Sequence, residues 1–284
     1  MFSLLQILIL VYLVVFLVLH YNVSAATNTT TTTTNNTNNN NTNTNNLSVT
    51  FYTKSQTRNF ILADKDKFIA SLDKANCLAR QVATPAEYRS LAAQAAVSFS
   101  AEEQKRLRRA VSLAAGALEK MSPAYLAQVG IDKTRLLQQT LLGTWTLAKT
   151  RDSDVEMGMP HTRERVIFLS GAYLARYGSN NMVKMTRTLI HEFMHIYQRT
   201  FATLYTDFLR QNGWVRVPYN ENDLRINPDL DKQVWKRRDD KRLYMAQFVT
   251  PQNPKNLKDV RLSESRYEHP FEWYAYKLGE EATF

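Results

Sequence analysis

Cysteine is nearly absent from this chain: Cys77 is the one cysteine among 284 residues. A single thiol excludes a disulfide within the chain, and it excludes a zinc site made of several cysteines. Residues 74–80 around it have a helical pattern, so we expect a buried core thiol rather than a nucleophile. The cysteine content therefore gives no support for an oxidising compartment.

A stripe of one charge is also absent. The chain carries 36 Lys and Arg against 26 Asp and Glu, and the resulting net charge of +10 favours acidic partners or anionic surfaces. The basic residues are scattered, however, and the densest run, residues 236–242, contains its own acids. We expect a solvated surface there, with an anion-binding patch as the alternative, and we do not expect a nucleic-acid partner.

Long apolar runs are confined to the N-terminus. Residues 2–19 are almost wholly apolar, and residues 23–25 resemble a signal-peptide cleavage site. No Lys or Arg precedes the run, and its length is close to the roughly 18 residues of a membrane span, so an uncleaved anchor is the alternative for residues 1–25. Either interpretation predicts a secreted or membrane-anchored protein whose folded part lies outside the cytosol.

A Thr/Asn tract follows this leader. Residues 27–46 contain no apolar side chain, so they cannot bury surface to offset the entropy of ordering, and we predict a disordered linker over 26–46. The tract contains N-glycosylation sequons, which would make it a glycosylated stalk in a secretory pathway, and these begin at Asn28, Asn35, Asn40 and Asn46. A repeat expansion without a role is the alternative.

The folded part has two patterns. Residues 47–142 indicate a helical N-terminal subdomain, with a capping box at Ser100 and helix starts at Pro85 and Pro123. Residues 143–284 add strands at 143–149 and 165–170 between further helices. No internal repeat is present. The expected fold class is α+β, mostly helical with a small β-sheet.

The strongest functional signal is the sequence His191-Glu192-Phe-Met-His195 within a long predicted helix. Its apolar stripe runs from Met182 to Phe208, and Asn181 is the expected N-cap. Histidines at i and i+4 project from the same side of a helix, so both imidazoles can bind one metal ion. Glu192 is suited to take a proton from a metal-bound water.

A catalytic zinc ion takes three protein ligands and leaves one position open, so a third ligand must come from elsewhere. We predict Glu272, on the first turn of a helix that His269 caps, that Pro270 begins and that Gly279 follows. The alternatives for this ligand are Glu268, His269, Asp229 and Asp231, although a turn is the simpler role for the two aspartates.

Three more residues are candidates for contacts with a substrate. His161 precedes the second strand and can touch substrate, with a loop hydrogen bond as the alternative. Tyr274 and Tyr276 can stabilise an oxyanion, although aromatic residues on a helix are usually part of a core.

Residues 188–197 resemble the active-site helix of the zincin metallopeptidases, and a downstream helical Glu is similar to the gluzincin arrangement. The metzincin extension is absent, because Phe201 stands where its third histidine would be. The resemblance covers 143–279. It implies Zn²⁺ held by His191, His195 and Glu272, and a peptide or protein substrate. It also implies an edge strand just before the helix, here 165–170, where substrate pairs with 166–169.

The sequence therefore predicts a zinc-dependent metallopeptidase in which Glu192 is the general base. Two alternatives remain from other classes. A catalytically degenerate zincin-like module would bind without hydrolysing peptides. A basic protein associated with nucleic acid is suggested by the net charge alone, and the predicted leader argues against it.

Overall fold

The computed structural model describes residues 47–141, 143–177, 181–219, 223–262 and 265–284. The predicted signal peptide or anchor (1–25) and the predicted linker (26–46) lie outside these residues. In the described ranges, no helix combines the length and the apolar character needed to cross a membrane.

Helices make up most of the regular structure. Several begin at a Ser, Thr, Asp or Asn side chain that accepts a hydrogen bond from the third helical residue, including the capping box predicted at Ser100 and the caps before Pro85 and Pro123. Within the described residues the α-helices are α1 (Lys54–Ala63), α2 (Lys74–Ala79), α3 (Pro85–Gln94), α4 (Ala101–Lys120), α5 (Pro123–Gln128), α6 (Lys133–Leu141), α7 (Gly171–Tyr177), α8 (Met182–Thr200), α9 (Ala202–Gln211) and α10 (Pro270–Glu281).

The strands form three small sheets, and the first of them supports the candidate site. In that sheet β1 (Ser48–Phe51), β3 (Thr144–Thr150) and β5 (Val166–Ser170) run parallel, β4 (His161–Arg163) is antiparallel to β5, and β2 (Ala96–Val97) pairs with β3. The second sheet contains β6 (Trp214–Val217), β7 (Val234–Arg237) and β8 (Leu243–Tyr244), and the third contains β9 (Ala246–Phe248) and β10 (Val260–Leu262). This mixture confirms the α+β fold class.

Helices cover both faces of the first sheet. Alternate side chains of β5 point in opposite directions, so Ile167 and Leu169 join the core around α4, α8 and α10, whereas Val166 and Phe168 join the core around α1 and α3. A strand that is buried on both faces needs a continuous apolar run, which the sequence Val-Ile-Phe-Leu provides. Cys77 is buried in the second core, as predicted.

The prediction that the strand before the long helix lies at the edge of the sheet is wrong. Residues 165–170 were expected at the sheet edge, but β5 lies between β3 and β4, and its backbone is hydrogen-bonded on both sides. The strand beside it at the edge is β4. A substrate therefore cannot pair with residues 166–168, because β3 and β4 occupy both backbone edges there.

Two helix boundaries also differ from prediction. The long helix expected up to Phe208 ends at Thr200, and α9 begins after Phe201, whose backbone has a non-helical φ of −113°. Gly279 was expected just past the last helix, but α10 continues to Glu281. The reason is tertiary packing at Gly279, described below.

Residues 47–142 do not have a separate core. Strand β1 pairs with β3, and apolar residues of α4, α5 and α6 share one core with those of α8 and α10. Within residues 47–284, the parts of the chain that the structure describes form one compact unit. The helical segment expected as an N-terminal subdomain thus supports the same sheet and the same helix that carry the predicted site.

Candidate metal centre

Helix α8 carries three of the predicted site residues because its two faces differ. Asn181 caps it by accepting a hydrogen bond from the Lys184 amide at 2.9 Å. Its apolar face includes Leu189 and Phe193, and the Phe193 ring stacks on Trp145 of β3 at 4.6 Å between centroids. Burying a side chain of this kind contributes about 1.5–3 kcal/mol. This packing fixes the helix and turns its other face toward a cleft.

Helix α10 crosses α8 closely because Gly279 has no side chain. A Cβ atom there would lie 3.1 Å from the Arg187 carbonyl oxygen and 4.0 Å from the His191 Cβ atom. At the other end of α10, His269 is the N-cap and Pro270 occupies the first turn, as predicted. Glu272 follows on that first turn, so the helix delivers its carboxylate to the α8 histidines.

The structure brings His191, His195 and Glu272 together, and their ligand atoms all lie within 4.8 Å of one another. The two Nε2 atoms are 3.1 Å apart. Glu272 Oε2 is 3.2 Å from His191 Nε2, and Glu272 Oε1 is 3.6 Å from His195 Nε2. Ligands at about 2.0–2.1 Å from a tetrahedral ion lie roughly 3.3 Å from each other, so these separations suit one small cation.

Gln198 determines which nitrogen of His195 carries the proton. Its side-chain amide nitrogen donates to the Phe271 carbonyl at 3.1 Å, which leaves the amide oxygen 2.9 Å from His195 Nδ1. His195 Nδ1 therefore donates, which leaves the lone pair on Nε2, the atom that lies 3.6 Å from Glu272 Oε1. An outer hydrogen bond of this kind orients a metal-binding histidine. Sequence reasoning missed Gln198, although its position three residues after His195 on the same helix was a usable signal.

The protonation states of these groups suit a cation. Burial lowers the pKa of His195 to about 3, so its imidazole is neutral at physiological pH. Burial alone would raise the pKa of Glu272, but the adjacent His191 and His195 outweigh it and lower that pKa, so the carboxyl is ionised. Neutral imidazoles and an ionised carboxylate are the forms that bind zinc.

Glu192 is buried beside this group, and one of its carboxylate oxygens makes no hydrogen bond within the described residues. Its side chain is 3% exposed, and its Oε2 atom has no hydrogen-bond partner within the described residues. Burial raises the pKa of Glu192 well above its usual value, and the neighbouring carboxylates of Asp229 and Glu272 raise it further. A buried polar atom without a partner is costly, and such atoms are typical of functional sites.

Asp229 is a third buried carboxylate at the site, and it holds the edge strand. Its Oδ1 atom accepts hydrogen bonds from the Thr162 amide of β4 and, at 2.8 Å, from the Thr162 hydroxyl. The outward-facing amide of β4 is therefore already occupied. Burial, with Glu272 nearby, raises the pKa of Asp229 to about 6.

Arg199 is the cation that acts on Glu192 and Asp229, but it contacts backbone instead of their carboxylates. Its guanidinium donates to the Glu164 carbonyl at 2.7 Å and to the Pro228 carbonyl at 3.3 Å. Arg199 acts on two of the three buried carboxylates and Arg225 acts on the third, Glu272, so a cation at the two imidazoles would offset the negative charge that remains. The donor set and the unsatisfied Glu192 oxygen both fit zinc.

The other ligand candidates have partners of their own. Glu268 forms an ion pair with Arg225 at 2.7 Å, and His269 Nε2 is 2.8 Å from Asp231 Oδ1. Asp229 is bound to β4 as described above. The structure does not bring these side chains into the His–His–Glu group.

A cleft of about 980 Å³ opens over the group, lined by His191, Glu192 and Glu272. Its size is at the upper end of the roughly 300–1,000 Å³ found for ligand pockets. Residues 157–160, just before β4, also line it. The cleft is therefore large enough for a short stretch of peptide beside the predicted ligands.

The two tyrosine candidates, Tyr274 and Tyr276, differ in whether they line the cleft. Tyr274 is buried in the core, where its hydroxyl accepts a hydrogen bond from Trp214, and it does not line the cleft. Tyr276 does line the cleft, and the centroid of its ring is 4.5 Å from that of the His191 ring.

His161 also lines the cleft. Its ring stacks on Phe168, and its Nδ1 atom is 3.1 Å from the Met159 carbonyl oxygen. Tyr173 is a further lining residue that the sequence did not indicate, and its buried hydroxyl lies near Thr188 and Glu192.

No protein-family model matches this chain, and neither a curated protein nor a solved structure matches it.

Proposed function

We propose that this protein is a zinc-dependent metallopeptidase with a zincin-like active site. The single observation that carries the proposal is the convergence of His191, His195 and Glu272 beside the buried, unsatisfied Glu192 at the base of an open cleft. The first three residues would hold a zinc ion, which would supply Lewis-acid polarisation of a carbonyl group and a lowered pKa for a water molecule.

The side chains around this position divide the remaining work. Glu192 accepts a proton from the attacking water at Oε2 and then donates it to the nitrogen of the leaving amine. Its buried position, which favours the protonated form, lets it retain the proton between these two transfers. Gln198 holds His195 in the tautomer that leaves Nε2 free.

We assign the stabilisation of the oxyanion to Tyr173. Tyr173 lines the cleft, and its buried hydroxyl lies near Thr188 and Glu192, from where it can donate one hydrogen bond to an oxyanion. Peptide substrate lies along residues 157–160 instead of the predicted 166–169, because β5 is internal and the Thr162 amide is bound to Asp229.

The test uses the full chain in three forms: wild type, Glu192→Gln and Glu272→Ala. Elemental analysis measures bound zinc, and a fluorogenic peptide library measures hydrolysis. We expect Glu192→Gln to retain zinc and lose roughly 10²–10⁴-fold in hydrolysis, because it removes the base alone. Glu272→Ala is expected to lose both zinc and hydrolysis.

Glu281→Gln is the matched control, because this exposed carboxylate lies on α10 nine residues, or about 13 Å, beyond Glu272. It should behave as wild type. Full hydrolysis by Glu192→Gln would exclude Glu192 as the general base. Zinc binding without hydrolysis by the wild type would favour the degenerate binding module.

A further inference from the structure

One wall of the cleft carries cations without anionic partners. Lys184 and Arg187 of α8 line the cleft and are exposed, as is Arg176 of α7. Within the described residues, none of the three forms an ion pair with a carboxylate. Other lining cations differ, since Arg225 pairs with Glu268 at 2.7 Å and Arg266 pairs with Glu280 at 3.1 Å. The α8 wall therefore presents positive charge that the protein itself does not neutralise.

The helical register aligns these cations with the candidate zinc ligands. Lys184, Arg187 and His191 are spaced at i, i+3 and i+7, which places them along one face of α8. Arg187 precedes His191 by four residues, or about 6 Å along the axis, and Lys184 precedes it by about 10 Å. An extended peptide advances about 3.3 Å per residue, so two residues span about 6.6 Å and three about 10 Å.

We propose that this cleft selects peptides that carry Asp or Glu about two to three residues from the bond that is cleaved, through Lys184 and Arg187. The position of that bond rests on the proposed peptidase function, whereas the recognition of acidic side chains rests on the α8 wall. The chain's net charge of +10 attracts the same peptides from a distance.

An acidic peptide fits this arrangement better than a nucleic acid does. The base of the cleft holds the buried carboxylates of Glu192, Asp229 and Glu272. A phosphate backbone has a negative charge at every nucleotide, so it would also lie against these carboxylates. A peptide can instead place an uncharged segment over the base and one acidic side chain against α8.

The binding experiment uses the zinc-loaded Glu192→Gln chain, which does not consume its ligand. Two fluorescein-labelled peptide libraries, identical except for Glu or Gln at each fixed position in turn, are compared by anisotropy. We expect about threefold to tenfold tighter binding of Glu peptides at the positions that meet α8, and we expect added salt to reduce this preference. Adding Arg187→Gln and Lys184→Gln to this chain should abolish it.

Lys105→Gln is the matched control, because Lys105 is an exposed cation on α4 that does not line the cleft. It should retain the preference. Equal binding of the Glu and Gln libraries would overturn the proposal, as would a preference that survives the double substitution. Displacement of both libraries alike by a single-stranded oligonucleotide would show nucleic-acid binding and overturn it as well.

A parallel hydrolysis assay of the wild type with the same libraries separates the two proposals. Preferential binding of Glu peptides without hydrolysis of any peptide would contradict the peptidase function and leave acidic recognition standing. Hydrolysis without a preference for Glu peptides would support the peptidase function and contradict acidic recognition.

Discussion

Two groups of buried charged residues contribute to the lining of the cleft, and they are built differently. In the first, Arg80 forms a bidentate pair with Glu156 at 2.7 and 2.8 Å, and the Tyr88 hydroxyl donates to the same carboxylate at 2.5 Å. In the second, Glu192 and Glu272 lie beside His191 and His195, and burial lowers the pKa of His195 so that its imidazole is neutral. The first group is balanced in charge and in hydrogen bonds, and the second is balanced in neither.

This difference indicates which group is structural. The Arg80–Glu156 pair ties α2 to the segment before β4, and the Arg80 guanidinium also reaches the Ile226 carbonyl at 2.8 Å. A satisfied buried pair holds elements together but has no capacity left for a ligand. The group around Glu192 has spare acceptor capacity and an open cleft above it. An unsatisfied buried oxygen and an open cleft thus coincide at the predicted zinc site.

The largest expected effect is on stability, and it has opposite signs in the two groups. Glu156→Ala leaves the Arg80 charge buried without its partner and should cost about 3–5 kcal/mol in the free energy of unfolding. Glu192→Gln replaces a buried carboxyl, whose Oε2 has no hydrogen-bond partner within the described residues and whose burial favours the neutral form, with a neutral amide, so it should leave the metal-free protein as stable as wild type or more stable. Urea unfolding with a chelator present measures both. A large loss of stability in Glu192→Gln would contradict the comparison.

The second-largest expected effect is a loss of stability in acid, and it arises in the balanced group of Arg80 and Glu156. Burial would raise the pKa of Glu156, but Arg80 outweighs it and holds the pKa below its usual 4.5. Arg163 likewise keeps the pKa of Asp66 below 3.8. A lowered pKa contributes stability that is present above the unfolded value and is lost as pH falls through the folded value. Stability should therefore decline below about pH 4.5, and less steeply in Glu156→Gln. Identical pH profiles for the two proteins would contradict this account.

The smallest expected effect comes from the close crossing of α8 and α10 at Gly279, which positions Glu272. Gly279→Ala places a Cβ atom 3.1 Å from the Arg187 carbonyl oxygen, so α10 must move slightly away from α8. We expect a loss of about 1 kcal/mol in stability and severalfold weaker zinc binding, measured by thermal unfolding and calorimetric titration. Gly116→Ala on α4 is the control, since a Cβ there meets nothing within 4 Å and should stabilise the helix. Unchanged zinc binding by Gly279→Ala would mean that the close helix crossing does not position Glu272.

Local chemistry made part of this molecule predictable. The caps at Ser100, Asn181 and His269 depend on residues within one helical turn, and each is present. The convergence of Glu272 with the two histidines followed from a helix start and a known ligand requirement. Zinc binding itself remains a prediction.

Features that depend on distant partners were not predictable. The position of β5 inside the sheet depends on its pairing with β3, twenty residues earlier in the chain (Thr146 opposite Val166), and with β4, a short strand that the sequence pattern did not indicate. The run of apolar residues in β5 was the local sign of burial on both faces, and it was the signal to weigh against an edge strand. Asp229 and Tyr173 became part of the site only through tertiary contacts.

X-ray absorption at the zinc edge of the zinc-loaded full chain tests the central claim most directly. The account predicts one zinc ion per chain, bound by two imidazoles and by carboxylate oxygen, with one imidazole lost in His195→Ala and the carboxylate lost in Glu272→Ala. A chain that retains no zinc after dialysis, or a zinc environment that these substitutions leave unchanged, would contradict it.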